Sequence, residues 1–251
     1  MALLEGDTAL VTGAASGIGR GIAKALAAEG VRLVLSDVAE QSGATLAHEL
    51  SASFIPADLN EPTAPHRLFE AAVKALGSVS IFVHSASPRP LESETALGVT
   101  EAQWDLTTSV GLRAGFLLGQ AAGAHMKARN IKGRLLFITS LHGETPRNLP
   151  HYSATKAGQT MVVKELARAL GANGIRVNAI APGAIPGGGF DANIAAFAKM
   201  IPLGWTGTPE DIADMAIALL CDRFSRYVTG ATVVVDGGLS LYNWIPVRSE
   251  P

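Results

Sequence analysis

The chain has 251 residues, a net charge of -2, and 48% apolar against 17% charged residues. This is enough for a sizeable core, and no basic block is present that would track nucleic-acid phosphates. A single cysteine, Cys221, excludes an intrachain disulfide framework, and neither a signal peptide nor an apolar run of about 18 residues is found. Composition therefore predicts a cytoplasmic protein with no membrane span and no nucleic-acid partner.

The first predicted element is a strand followed by a glycine-rich turn. Thr8–Thr12 is a short β-prone run, and Gly13-Ala14-Ala15-Ser16-Gly17-Ile18-Gly19 leads from it into a helical pattern of apolar residues. Glycines at such a turn let the backbone approach a pyrophosphate, whose charge is stabilised at the helix amino terminus. The turn predicts a dinucleotide site, and an ordinary tight turn is the alternative.

A second predicted strand, Arg32–Ser36, ends in Asp37, eighteen residues after Gly19. In a dinucleotide fold this is the place of the acid that accepts hydrogen bonds from the adenosine ribose. Because a carboxylate there repels a 2′-phosphate, NAD is predicted as the cofactor and NADP is disfavoured. Two alternatives remain: Asp37 only caps the next helix, or Arg20 in the glycine turn offers a cation to a 2′-phosphate.

Strands and helices alternate through the rest of the chain. Further strands are predicted at Ser53–Pro56, Val79–Val83, Leu135–Thr139, Arg176–Ile180 and Thr232–Val235, with long helical patterns at Thr100–Ala128 and Pro150–Gly171. This alternation predicts one α/β domain over 1–251, with a parallel sheet of about seven strands covered on both faces. Regular structure breaks after the sixth strand, and about 183–205 is predicted to be a substrate loop.

Tyr152 and Lys156 lie four apart at the start of a predicted helix, so they project from one face. A free phenol has a pKa near about 10, and a nearby cation lowers it by roughly 1 to 3, which makes Tyr152 a candidate general acid and base. Ser140 directly follows the strand Leu135–Thr139, at the sheet edge where open α/β folds bind ligands. These three residues form the predicted catalytic set, with chance spacing as the alternative.

The motifs occur in the order found in the short-chain dehydrogenase/reductase family, which the chain resembles over essentially its whole length. The residues that carry the resemblance are Thr12 to Gly19, Asp37, Asp58-Leu59, Ser140, Tyr152 with Lys156, Arg176-Val177-Asn178, Pro182-Gly183, and Val228-Thr229-Gly230 through Asp236-Gly237-Gly238. Within the family, Ser140-Leu141-His142-Gly143, His151-Tyr152 and Met200-Ile201-Pro202-Leu203-Gly204 are similar to the bacterial glucose 1-dehydrogenase branch.

The resemblance implies a Rossmann fold, hydride transfer between NAD(H) and a secondary alcohol or carbonyl, no metal, and a homotetramer paired through the two long helices. Tyr152 would exchange a proton with the substrate oxygen, Lys156 would lower the pKa of Tyr152 and bind the nicotinamide ribose, and Ser140 would hydrogen-bond the substrate. The implied cofactor-binding residues are Gly13, Ser16, Gly17, Ile18, Gly19, Asp37, Asp58, Leu59, Ser85, Ala86, Pro182, Gly183 and Ile185.

The segment between Ser140 and Tyr152 is predicted to line the substrate pocket through His142, Asn148 and His151. Polar side chains there suit a hydroxylated ligand, which predicts a sugar or polyol as substrate. The alternative is that the two histidines only satisfy loop backbone groups. Two other functions stay open: a 3-oxoacyl thioester reductase, and a nucleotide-binding sensor or interaction protein with degraded catalysis.

Three positions depart from the family pattern. His84-Ser85-Ala86-Ser87 stands where the family has Asn-Asn-Ala-Gly. Gly111 stands where an asparagine bends the helix and holds a water of the proton relay, and Gly187 stands where a threonine binds the nicotinamide amide. The last two departures motivate the sensor hypothesis.

Overall fold

The computed structural model describes residues 2–186 and 194–241, and all structural statements concern those residues. One sheet has seven parallel strands in the order β3-β2-β1-β4-β5-β6-β7. The strands are β1 (Thr8–Thr12), β2 (Arg32–Ser36), β3 (Ser53–Phe54), β4 (Ile81–His84), β5 (Arg134–Ile138), β6 (Arg176–Pro182) and β7 (Thr232–Val235). The predicted parallel α/β fold is confirmed. The strand order reverses between β1 and β4, which is where such sheets bind ligands.

Helices cover both faces of the sheet. Over the described ranges they are α1 (Gly17–Ala28), α2 (Glu40–Glu49), α3 (Ala64–Leu76), α4 (Glu101–Thr107), α5 (Ala114–Ala128), α6 (Pro150–Leu170), α7 (Ile194–Ala198), α8 (Pro209–Leu220) and α9 (Asp222–Ser225). Because strand side chains alternate, Ala9 and Val11 pack in the core with α1, α2 and α8, whereas Leu10 packs with α3, α5 and α6. No helix within 2–186 or 194–241 is long and apolar enough to cross a membrane.

The long helical pattern predicted over Thr100–Ala128 is not one α-helix. A π-helical segment, Thr108–Arg113, joins α4 to α5. A π turn shifts the backbone hydrogen bonds by one residue, which leaves a carbonyl available to other donors and bends the helix. The predicted helix is therefore correct in extent but interrupted beside the active-site cleft.

The predicted substrate loop at about 183–205 is described in part, because 187–193 lie outside the described residues. Its later portion contains α7 and then returns to the sheet. There Ile201 is buried, and the amide of Leu203 donates to the carbonyl of Gly237 after β7 at 3.1 Å. This end of the loop is therefore fixed to the turn that follows the last strand.

Candidate active site

A cleft of about 620 Å³ runs along the carboxyl ends of the strands. At one end it is lined by the glycine turn and Asp37, and at the other by Ser140, Tyr152 and Lys156. It also contains every predicted cofactor-binding residue: Gly13, Ser16, Gly17, Ile18, Gly19, Asp37, Asp58, Leu59, Ser85, Ala86, Pro182, Gly183 and Ile185. Gly187 lies outside the described residues. Across the part of the chain that is described, no group of three potential metal ligands occurs.

The glycine turn needs its glycines because the backbone closes on itself there. Gly13 has a φ of +66°, and a Cβ at this residue would lie 2.6 Å from the amide nitrogen of Ala86. A Cβ at Gly19 would lie 2.0 Å from the carbonyl oxygen of Gly13. Helix α1 then begins at Gly17, and its first amides have no partner within the helix. The turn is a cradle in which backbone amides and the helix dipole can hold an anion such as a pyrophosphate.

Asp37 joins the glycine turn to the end of β2. Its carboxylate accepts a hydrogen bond from the amide of Ala15 at 2.9 Å and another from the amide of Ala39 at 3.0 Å. The side chain is half-buried and lines the cleft beside Asp58, which follows β3. These two carboxylates make the glycine-turn end of the cleft acidic, which favours a ligand without an added phosphate there.

The structure brings the predicted catalytic residues together. Lys156 is buried and its ammonium donates to the carbonyl of Ile138 at 3.0 Å, with Nζ 5.4 Å from the ring centroid of Tyr152. The hydroxyl of Tyr152 hydrogen-bonds to Ser140. The oxygen of Ser140 also accepts from the amide of His142 at 3.1 Å. Because that amide already occupies one acceptor site, the hydrogen of the Ser140 hydroxyl is free to point toward Tyr152 or a substrate oxygen.

The expected direction of the Tyr152 pKa is not found. Burial raises the pKa of Tyr152 above its usual value of 10.0, and the smaller opposing effects come from Ser140 and Arg147. The ammonium of Lys156 is committed to the Ile138 carbonyl and lies over the ring, and burial lowers its own pKa to about 8. The predicted lowering of the Tyr152 pKa is wrong for this arrangement, because desolvation of the phenolate dominates. Tyr152 is therefore protonated at neutral pH.

His84 holds the π-helical segment. Its Nε2 donates to the carbonyl of Gly111 at 3.0 Å, and its Nδ1 accepts from the hydroxyl of Thr12 at 3.0 Å. Gln159 donates to the same Gly111 carbonyl at 2.9 Å. Burial, and then the charge of Lys156, lower the pKa of His84 to about 4, so the imidazole is neutral at pH 7. We call His84, Gly111 and Gln159 the histidine clamp.

The histidine clamp depends on two small residues. A Cβ at Gly115 would lie 2.8 Å from the ring of His84, so the imidazole occupies the space that a side chain there would need. A Cβ at Gly111 would lie 2.5 Å from the Cγ2 of Thr155. The bend that the family obtains with an asparagine at this position is thus present here without one, supported from His84 instead.

His142 lines the cleft as predicted for a substrate residue. Its Nδ1 donates to the carbonyl of Thr145 at 3.0 Å, and its ring lies edge-on to that of Tyr152 with centroids 6.4 Å apart. Burial lowers the pKa of His142 below its usual value. Nδ1 is thus committed to the loop backbone, and among the described residues Nε2 has no hydrogen-bond partner.

Asn148 and His151 do not line the cleft, contrary to the prediction. Asn148 is exposed with a φ of +60°, and its side-chain oxygen accepts from the amide of Ala96 at 3.2 Å. His151 is fully buried and its Nε2 bonds to the carboxylate of Glu94 at 2.9 Å. Adjacent residues on a helix point about 100° apart, so His151 faces the loop before α4 while Tyr152 faces the cleft.

Several residues that line the cleft carried no motif. They include Pro88, Arg89, Pro90, Leu106, Val110, Arg147 and Leu149. They come from segments that are far apart in sequence and meet only through tertiary packing. Arg147 in particular forms an ion pair with Glu92 and lies near enough to Tyr152 to oppose the rise in its pKa. A basic residue in the Ser140–Tyr152 segment was the only local signal that could have indicated it.

Comparisons with known proteins agree with this arrangement. Residues 13–240 match the protein family described as Enoyl-(Acyl carrier protein) reductase. The chain is 34% identical to the 3beta-hydroxysteroid dehydrogenase 1 of Eggerthella lenta, over 95% of each protein. It is 34% identical to the glucose 1-dehydrogenase 2 of Bacillus subtilis, over 95% of this chain and 96% of that protein. A solved short-chain dehydrogenase/reductase from Serratia marcescens matches with a TM-score of 0.87 and 27% identity, over 94% of this chain and 99% of its own.

Proposed function

Because the chain belongs to the short-chain dehydrogenase/reductase family, we propose that it interconverts an alcohol and a carbonyl group on a polyhydroxylated small molecule with NAD(H). Family membership already makes it an oxidoreductase that acts on CH-OH groups with a nicotinamide cofactor. The proposal adds the choice of NAD and the class of substrate. The observation that carries it is the assembly of Ser140, Tyr152 and Lys156 in the cleft that begins at the glycine turn.

Tyr152, Ser140 and Lys156 have different roles in the proposed reaction. In the reducing direction, Tyr152 is already protonated and donates its proton to that oxygen, while the Ser140 hydroxyl donates a hydrogen bond to it. In the oxidising direction, Tyr152 must first lose its proton and then accept one from the alcohol. Lys156 supplies positive charge beneath the phenol ring and can bind a ribose hydroxyl. When bound, the nicotinamide supplies or accepts the hydride.

The preference for NAD rests on the acidic end of the cleft. Asp37 presents its carboxylate where the adenosine ribose is expected, and its two backbone hydrogen bonds fix it there. Arg20, the candidate cation for a 2′-phosphate, is exposed on α1 and is not among the residues that line the cleft. A 2′-phosphate would therefore meet a negative charge without a compensating positive one.

Hydroxylated substrates are favoured by the neutral His142 ring beside Tyr152. The test is turnover of NAD by the purified protein with a panel of aldoses, polyols, sugar acids, sugar phosphates and simple secondary alcohols, with Tyr152→Phe as the inactive control. Turnover of the hydroxylated compounds above that of plain alcohols supports the proposal. A wild-type protein that reduces NAD with none of them contradicts it.

A 3-oxoacyl thioester reductase is the second candidate, favoured by the description of the matching family. The same panel distinguishes it if acetoacetyl thioesters are included with NADH. A sensor or interaction protein with degraded catalysis is the third, and the assembled Ser140, Tyr152 and Lys156 argue against it. Turnover by wild type that Tyr152→Phe abolishes would exclude it.

We further propose a cytoplasmic homotetramer. An open groove of about 550 Å³ lies between the π-helical segment, α5 and α6, and it is lined by apolar groups that include Leu112, Phe116 and Met161, the last 55% exposed. A second copy of the same face would cover it in a C2 pair, and two such pairs would make the tetramer. Sedimentation at micromolar concentration tests the assembly, and a monomer or a dimer there would contradict it. The lone cysteine suits a reducing compartment.

A further inference from the structure

The two ends of the cleft differ in charge. At the glycine-turn end, Asp37 and Asp58 line it. The described lining residues near Tyr152 include Arg147 and Lys156, and the only carboxylates among all the described lining residues are those of Asp37 and Asp58. His142 adds no negative charge, because a histidine ring is neutral or positive. A substrate that enters beside Tyr152 therefore meets two cationic side chains, of which Arg147 is paired with the exposed Glu92.

Arg147 is the cation best placed to act on a ligand. Its Nη2 bonds to the carboxylate of Glu92, whose side chain is 77% exposed, while the Arg147 side chain is 35% exposed. Within the described residues the other nitrogens of this guanidinium have no protein partner. Arg147 also opposes the rise in the pKa of Tyr152, so its charge reaches the catalytic hydroxyl. The guanidinium thus has donors to spare next to the reacting centre.

The other carboxylate of the neighbouring loop is not available to neutralise Arg147. Glu94 is buried and accepts from the amide of Leu91 at 3.0 Å, from His151 at 2.9 Å and from Gln103 at 2.9 Å. Its hydrogen bonds tie the loop to α4 and α6. Among the described residues, the exposed Glu92 is the carboxylate that pairs with Arg147, and an exposed pair of this kind is weak and easily exchanged for another anion.

We propose that Arg147 binds an anionic group of the substrate, so that the enzyme acts on a hydroxy acid, a sugar acid or a sugar phosphate rather than on a neutral sugar. This inference rests on the proposed function, which it narrows. A guanidinium matches the planar carboxylate or a phosphate with two parallel hydrogen bonds, which a neutral substrate group does not offer. Binding would displace Glu92, and the anion would hold the carbinol carbon at a fixed distance from Tyr152.

The test compares molecules that differ only in charge. One pair is 3-hydroxybutyrate and its methyl ester, and the other is glucose 6-phosphate and glucose, each oxidised with NAD. For at least one pair, kcat/KM of the wild type should be about 10- to 100-fold higher for the anion, mainly through KM. The first pair reports on a carboxylate and the second on a phosphate, so the pair that discriminates identifies the anion.

Variants assign the effect to Arg147. Arg147→Gln should lose about 10- to 100-fold in kcat/KM for the anion and change little for its neutral partner, and Arg147→Lys should retain part of the preference. Glu92→Gln should lower KM for the anion, because a competitor is removed. The matched control is Arg168→Gln on the exposed face of α6, which should change neither member of a pair.

Two results would overturn the proposal. One is a wild type that prefers the anionic member in neither pair, and the other is an Arg147→Gln variant that loses equally on both members. Either result leaves the proposed function standing if hydroxylated substrates are turned over. If nothing is turned over, the proposed function fails. Anion binding by Arg147 can then still be tested by calorimetric titration of the NADH-loaded protein with 3-hydroxybutyrate and glucose 6-phosphate. Anion binding weakened about 10-fold in Arg147→Gln supports the inference, and no anion binding or unchanged binding rejects it.

Discussion

Replacing His84 by alanine should destabilise the protein by an amount that depends on pH. The imidazole is fully buried, so its removal leaves a cavity and takes away two hydrogen bonds of 3.0 Å. Gly111 keeps its bond from Gln159 at 2.9 Å, but the Thr12 hydroxyl is left with the Val83 carbonyl at 3.5 Å. The cavity and the weakened bonds together cost about 3 kcal/mol at pH 7.

Lowering the pH should reduce the difference in stability between the wild type and His84→Ala. The pKa of His84 is lowered from 6.5 to about 4 in the folded protein, so the unfolded chain binds a proton that the folded chain does not between these values. The stability that His84 contributes is complete above about pH 6.5 and falls by about 1.4 kcal/mol for each pH step below it. By pH 5 the wild type has lost about 2 kcal/mol from this group, whereas His84→Ala has nothing to lose. The gap between them should shrink to about 1 kcal/mol.

Urea unfolding followed by circular dichroism at pH 7 and pH 5, at one fixed protein concentration, measures both gaps. The matched control is His66→Ala. Because His66 is exposed on α3, this variant should have the same free energy of unfolding as the wild type at both pH values. A gap between wild type and His84→Ala that is the same at both pH values would show that His84 is not held neutral by the histidine clamp, and the reasoning would fail.

Three further predictions concern the cleft. Tyr152→Phe should lower turnover by a factor of roughly 10² to 10⁴, with NADH affinity unchanged in a fluorescence titration. In the wild type, the rate of alcohol oxidation should still be increasing with pH near pH 10, because burial raises the Tyr152 pKa. Lys156→Met should abolish most turnover, yet it should raise the free energy of unfolding at pH 7 by about 1 to 3 kcal/mol. The reason is that burial of the Lys156 ammonium is costly, as its pKa of about 8 shows. This gain in stability should vanish above about pH 10, where the buried amine of the wild type is neutral. NADH should bind about 10-fold more tightly than NADPH, and Asp37→Ala should narrow the gap; equal dissociation constants in the wild type would contradict the role of Asp37.

The sequence allowed the fold and the cleft to be predicted because both depend on local patterns. The glycine turn, the apolar strand runs and the spacing of Tyr152 and Lys156 are short-range features, and parallel strands bring their carboxyl ends to one edge whatever the details of packing. The bounds of β1, β2 and β7 were predicted to the residue for the same reason. The glycine at position 111, where the family has asparagine, could be noticed in the sequence, but its support by His84 could not.

What the sequence could not supply are properties that depend on several distant segments. The histidine clamp joins residues from β4, the π-helical segment and α6, and no spacing rule relates them. The Tyr152 pKa was predicted with the wrong sign, because the attraction of Lys156 was considered without the desolvation of the pocket. Asn148 and His151 were placed in the cleft by proximity in sequence, although helical geometry and a left-handed backbone turn them away.

The close packing around Gly111 limits the order in which this site can be altered. Gly111→Asn, which would restore the residue usual in the family, places a Cβ 2.5 Å from Thr155 and leaves the His84 ring where it is. His84→Asn alone withdraws one donor from a carbonyl that the bend has released. Each single exchange should therefore destabilise the protein, and an asparagine at position 111 should be tolerated only if Thr155 is also replaced by a smaller residue. His84 in this chain and the asparagine usual in the family are two different ways to support the same bend. Transferring a single residue from a relative into this site should therefore cost stability, because the surrounding packing fits His84 together with Gly111.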